Sequence, residues 1–116
     1  PTRRSSDLAR NADIVVESFG PGVADRLGIG WDRLSELNPR LVYASISGYG
    51  TQGPMKDGKG YDLIAQAFTG MLSISGERGG GPVRSPFSPV DQATGLHALI
   101  GIQAALLERE RTGTAR

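Results

Sequence analysis

The sequence contains no cysteine and one histidine, His97. A thiol nucleophile, a disulfide and a zinc–thiolate centre are therefore excluded within these residues, as is a metal site built from several histidines. Charge of one sign is missing too. Thirteen Lys and Arg stand against twelve Asp and Glu, a net charge of +1, which predicts no sequence-independent grip on nucleic acid. The basic residues near the ends, Arg3-Arg4 and Arg109, Arg111 and Arg116, read as solvated surface. Long apolar runs are absent: the longest, Leu96 to Leu107, is interrupted by His97 and Gln103, so no segment is expected to span a membrane. The first residues lack the apolar stretch of a signal peptide. The expected location is the cytoplasm.

What is abundant is glycine, at 17 of 116 residues beside 7 prolines. Apolar segments recur between the glycine clusters, so the chain is loop-rich without being low-complexity. Its length fits one domain or part of one. Opening on Pro1 and closing on Thr114-Ala115-Arg116, it reads as a piece of something longer.

Residues 1–11 are polar and read as an unanchored lead-in. The β-branched run Asp13 to Ser18 predicts a buried strand. Val23 to Leu27 predicts a short helix broken by Gly28 and Gly30, and the spacing of Trp31, Leu34 and Leu37 predicts a second. Asn38-Pro39 stops it, because the residue before proline is pushed out of the helical region. Leu41 to Ser47 predicts another strand, completing a βαβ unit. A Gly-, Pro- and Lys-rich loop follows to Gly60. Tyr61 to Leu72 predicts a helix with Leu63, Ile64, Ala67, Phe68 and Met71 on its apolar face. Gly76 to Pro82 is a glycine loop, and Pro82 to Val90, with three prolines, is at most an edge strand. Asp91 opens the strongest helix, with Leu96, Leu99, Ile100, Gln103, Leu106 and Leu107 on one face and few polar positions opposite. That pattern predicts burial on most sides. Its charged end and the stop at Gly113 predict a terminus emerging into water.

Five features could carry chemistry. Gly48-Tyr49-Gly50-Thr51-Gln52-Gly53 matches a dinucleotide fingerprint, but that chemistry needs a helix to start there, and Pro54 to Gly60 does not read as one. A turn is the better reading. Gly79-Gly80-Gly81 lacks the Gly-Lys-Ser/Thr ending of a phosphate loop. Asp91 lies where an extended segment meets an apolar helix. It can cap that helix by accepting first-turn N–H bonds, and it can serve as a nucleophile, since a helix N-terminus favours the negative charge acyl transfer requires. His97, alone on an apolar helix, reads as a packed, hydrogen-bonded residue, and Asp62 as a charge at a helix start. Trp31 and Phe68 read as core.

Four stretches together resemble family III CoA-transferases, the formyl-CoA and carnitine-CoA transferase type: Ala12 to Gly22 (ADIVVESFGPG), Leu37 to Gly50 (LNPRLVYASISGYG), Gly60 to Ala67 (GYDLIAQA) and Asp91 to Ala98 (DQATGLHA). The resemblance runs from about Ala12 to Gly113. It implies an α/β fold, a Rossmann-like three-layer arrangement left incomplete, with residues 1–116 as part of a CoA-binding domain. It also implies transfer of CoA from an acyl-CoA to a carboxylic acid, with Asp91 attacking the thioester, coenzyme A as substrate and no tightly bound cofactor or metal. CoA contacts are implied at Phe19, Arg26, Leu27, Lys59 and Tyr61, with Asp62 close to the reaction. Ser18 stands where asparagine is usual and Gly20 where a basic residue is common. The family's members form interlocked homodimers, and the segments that shape their acyl pocket fall outside these residues, so the isolated chain is expected to be inactive. α-Methylacyl-CoA racemases share the fold, using a histidine–aspartate pair. Their histidine is matched here by Tyr61, a poor base near neutral pH.

Overall fold

The computed structural model describes residues 3–115. Its order is α1 (Arg3–Asn11), β1 (Ile14–Glu17), α2 (Val23–Arg26), α3 (Trp31–Leu37), β2 (Val42–Ser45), α4 (Asp62–Phe68), a single 3₁₀ turn (Met71–Ser73) and α5 (Pro89–Thr112). The two strands pair in parallel, in register from Ile14 opposite Val42 to Glu17 opposite Ser45. Parallel neighbours require a crossover, and α2 and α3 supply it. The βαβ unit expected from the strand–helix–strand pattern is present.

Its core is small: Ala9, Leu34 and Leu41 are buried, with Ala12, Val15, Ile29, Leu37 and Tyr43 packed against them. Ala9 belongs to α1, so the reading of residues 1–11 as an unanchored lead-in is corrected. One small apolar residue in the right register suffices, because Asn38 Nδ2 donates to the carbonyls of Ala9 at 3.1 Å and Ala12 at 2.9 Å, meeting acceptors that a helix end leaves free. Asn38 also ends α3 in extended conformation before Pro39, as predicted.

Three further expectations are corrected. The helix predicted over Tyr61 to Leu72 stops at Phe68, because Gly70 takes a positive φ of 79° and breaks it. Leu63, Ile64 and Phe68 face outward, and the residue α4 buries is Gln66. Strand β1 is half exposed, with Val16 open on one face. Trp31 and Phe68 are not core. Trp31 meets Tyr43 edge-on at 6.2 Å, and Phe68 meets Tyr49 at 5.6 Å, each with a face left exposed.

Helix α5 reverses its predicted burial. Pro89, Val90, Thr94, Ala98, Ile102, Ala105 and Leu106 are its half-buried residues, and α5 packs on β2. The larger Leu96, Leu99, Ile100 and Leu107 stay exposed. Its one buried residue is Arg109, read from sequence as solvated. The guanidinium pairs with Asp13 at 2.9 Å and donates to the Arg40 carbonyl at 3.0 Å. The charged end of α5 thus docks beside the start of the sheet, before Gly113 closes the helix at φ 82°. The radius of gyration, 17.6 Å, exceeds the roughly 13 Å of a compact 100-residue domain, which agrees with so much open apolar surface.

Candidate active site

Parallel strands end on the same side, and in open α/β sheets ligands bind outside those carboxyl ends. Here the chain leaving β1 carries Ser18 and Phe19, and the chain leaving β2 carries Ile46 to Gly48. A cavity of about 520 Å³ opens between them. Ser18, Phe19, Lys59, Tyr61, Asp62 and Asp91 all line it, although 73 residues separate the first from the last. Arg26 and Leu27 do not. Leu27 caps α2 and is exposed, while a Cβ placed on Gly22 would lie 3.2 Å from Arg26 Nη1. Gly22 belongs to a neighbouring cavity of about 430 Å³, whose wall includes Trp31, Tyr43 and Lys56 and shares Phe19 to Pro21 with the first.

Lys59 and Tyr61 reach the site through a crossing of two backbones. A Cβ on Gly48 would sit 2.3 Å from the Gly60 Cα, and one on Gly60 would sit 2.2 Å from the Gly48 Cα. Neither position tolerates a side chain without separating the strands. The crossing closes residues 49–59 into a loop of turns, with no helix after Gly53. The arrangement a dinucleotide fingerprint requires is absent there, and Gly48 is needed for space.

Asp91 is not the cap of α5. The helix begins at Pro89, a residue suited to a first position whose N–H has no partner, and its cap residue Ser88 makes no side-chain bond to it. Asp62 does the capping from α4: its Oδ2 accepts the N–H groups of Val90 at 2.9 Å and Asp91 at 3.0 Å. Asp62 Oδ1 accepts from Gln66 Nε2, and Gln66 Oε1 accepts the Ser85 N–H at 3.0 Å. Partial burial of Asp62 opposes its ionisation. The Asp91 N–H, the Gln66 amide, the Val90 N–H and the charge of Arg84 outweigh that and hold its carboxyl below the ordinary value. The Asp91 carboxylate accepts no hydrogen bond among the described residues, and Asp91 lines the cavity.

Sequence reasoning placed Asp62 at the start of its own helix, and the resemblance placed it close to the reaction, but neither gave its clamp on α5 or the part of Gln66. The i, i+4 spacing of Asp62 and Gln66 was the available signal. His97 is hydrogen-bonded as expected, Nδ1 donating to the Ala93 carbonyl at 2.7 Å, but it is exposed where packing was expected. No helix among the described residues is long and apolar enough to cross a membrane.

A crevice at the carboxyl ends of the parallel strands, lined by Asp91 and Lys59, lies where open α/β sheets bind ligands. The chain belongs to CoA-transferase family III, whose family model matches residues 4–116. It is 50% identical over 110 residues to an acyl-CoA transferase of Fusarium pseudograminearum, covering 95% of this chain and 24% of that protein. It is 48% identical over 108 residues to a formyl-CoA:oxalate CoA-transferase of Streptomyces avermitilis, covering 93% of this chain and 26% of the relative. Among solved structures, a CAIB/BAIF family protein from Brucella suis superposes with a TM-score of 0.91 at 35% identity, covering 99% of this chain and 32% of that one. A hypothetical protein of Mycobacterium tuberculosis gives 0.89 at 41% identity, covering 97% and 32%. The chain thus spans about a quarter of the length of these curated relatives.

Proposed function

We propose that this chain is the CoA-binding part of a longer transferase that moves coenzyme A from an acyl-CoA to a carboxylic acid, with Asp91 as nucleophile. The observation that carries this is the Asp91 carboxylate, unpaired among the described residues, in a residue that lines the same cavity as Lys59 and Phe19. An Asp91 oxygen attacks the thioester carbonyl and expels CoA thiolate, leaving a mixed anhydride. The thiolate then attacks the aspartyl carbonyl, releases the first acid and forms an aspartyl-CoA thioester. The acceptor carboxylate attacks that thioester, and thiolate returning to the acceptor's carbonyl gives the new acyl-CoA and frees Asp91. Each step trades one acyl bond for another, the economy of covalent catalysis.

Lys59 is suited to the phosphates of CoA, and Phe19 to its adenosine by stacking. Ser18, Arg26, Leu27 and Tyr61 complete the proposed contacts, with Asp62 beside the reacting carboxylate. The remaining length supplies the rest of a Rossmann-like three-layer domain, the acyl pocket and an interlocked homodimer in the cytoplasm.

Incubation of the whole transferase with an acyl-CoA should leave a hydroxylamine-labile adduct on the peptide containing Asp91. Asp91→Asn should bind CoA without exchanging it. An Asp91→Ala protein with normal turnover would sink the assignment. Deuterium uptake at the α-carbon of a 2-methylacyl-CoA, without CoA exchange, would give the racemase reading instead.

A further inference from the structure

Gln66 is fully buried, at 0% exposure, on a helix whose leucine, isoleucine and phenylalanine stay open. A buried amide must satisfy both its ends, and here the partners fix its orientation. Oε1 faces the Ser85 N–H at 3.0 Å and so must be the acceptor, which turns Nε2 toward Asp62 Oδ1. The other oxygen of Asp62 holds the Val90 and Asp91 N–H groups. One side chain therefore ties the segment entering α5 and the carboxylate gripping its first turn into a single unit. Asp91 has no side-chain bond of its own among the described residues, so its place on the cavity wall depends on that backbone grip.

We propose that Gln66 is a positioning residue for the reaction, orienting Asp62 so that the first turn of α5 presents Asp91 to the thioester; this rests on the reading of Asp91 as nucleophile. A misplacement of about 1 Å can reduce a rate roughly 10²-fold, so the role belongs to the chemical step and not to CoA binding. The ionisable groups around the pair are Asp62, Arg84 on the entering segment, Asp91 on α5, and Lys59 and Tyr61 on the cavity wall.

The test compares wild type, Gln66→Met and Gln66→Glu in the whole transferase, measuring single-turnover acylation of Asp91, the dissociation constant for CoA and the pH profile. Gln66→Met should slow acylation by about 10²-fold with CoA affinity little changed. In Gln66→Glu an oxygen replaces Nε2 and confronts Asp62 Oδ1. Ionised, it repels Asp62; protonated, it donates as the amide does. The ratio of its rate to wild type should therefore rise as pH falls, and the Gln66→Met ratio should stay flat. If wild type forms no adduct on Asp91, the functional reading fails. If wild type does and both variants acylate at its rate, the positioning role is overturned. Parallel loss of CoA binding and acylation in both variants, with no recovery of Gln66→Glu at lower pH, also overturns it, because Gln66 would then serve folding alone.

Discussion

Gly48→Ala should disable the site without touching a reactive group. Gly48 does not have a positive φ, so its need for glycine is one of space. The added methyl would lie 2.3 Å from the Gly60 Cα and 2.5 Å from its nitrogen, where ordinary contact begins at 3.4 Å. The two backbones must therefore part by about 1 Å, and forced overpacking of this kind costs about 1–3 kcal/mol. Gly60 is followed directly by Tyr61 and Asp62, so the displacement passes into the clamp on α5. Turnover should fall on the order of 10²-fold, with a lower thermal midpoint. Gly101→Ala is the control: beyond its two chain neighbours and the helix's own backbone, no atom lies within 4 Å of its added methyl, and alanine is favoured over glycine inside a helix by about 1 kcal/mol. It should leave turnover intact and the midpoint unchanged or raised. A Gly48→Ala protein with wild-type midpoint and turnover would refute the crossing as described.

Three other outcomes follow from the same geometry. Lys59→Ala should weaken CoA binding about tenfold, less at high salt and less for a pantetheine thioester, which lacks the diphosphate; titration calorimetry with both ligands checks this. Asp62→Ala should speed amide exchange at Val90 and Asp91 by up to about tenfold, with mid-helix amides unaffected. Because the Asp62 carboxyl titrates below its ordinary value, the clamp's contribution is complete above the unfolded-state pKa of about 3.9 and disappears as pH falls through the lower folded-state value. Exchange at these amides should thus show no clamp loss at neutral pH and a rise only in strong acid. Arg109→Met should loosen the last turns of α5 by about 1–3 kcal/mol, less than a pair buried on both sides, because the Asp13 side chain is 76% exposed and can rehydrate; faster exchange over residues 106–112 is the readout.

Local patterns were legible wherever one residue type decides. The strands followed from β-branched runs, the stop at Asn38-Pro39 from proline sterics and the end of α5 from Gly113. The four motif stretches led to the family, and six of the eight proposed site residues line one cavity. What stayed hidden was pairing across distance. Nothing in the spacing of Asp62 says that its carboxylate serves the next helix, and Ala9 or Arg109 reads as surface until its partner is known. Periodicity gave α5 an apolar face but not which face meets β2. The small Thr94–Ala98–Ile102–Ala105 stripe approaches the sheet, leaving the larger side chains outward.

The Arg109 latch also bears on how the molecule is made. Synthesis runs from the N-terminal side, and a contact forms only after both partners have emerged. The α1–α3 contacts and the strand pair are complete once Ser45 exists. The far end of α5 is secured by a bond spanning 69 residues, from Arg109 to Arg40. Distant contacts bear their loop-closure entropy before any reward, so the earlier unit assembles first. A nascent chain therefore carries its strand crevice before the wall bearing Asp91 is anchored, and Asp91 joins Ser18, Phe19, Lys59, Tyr61 and Asp62 only after all of them are in place.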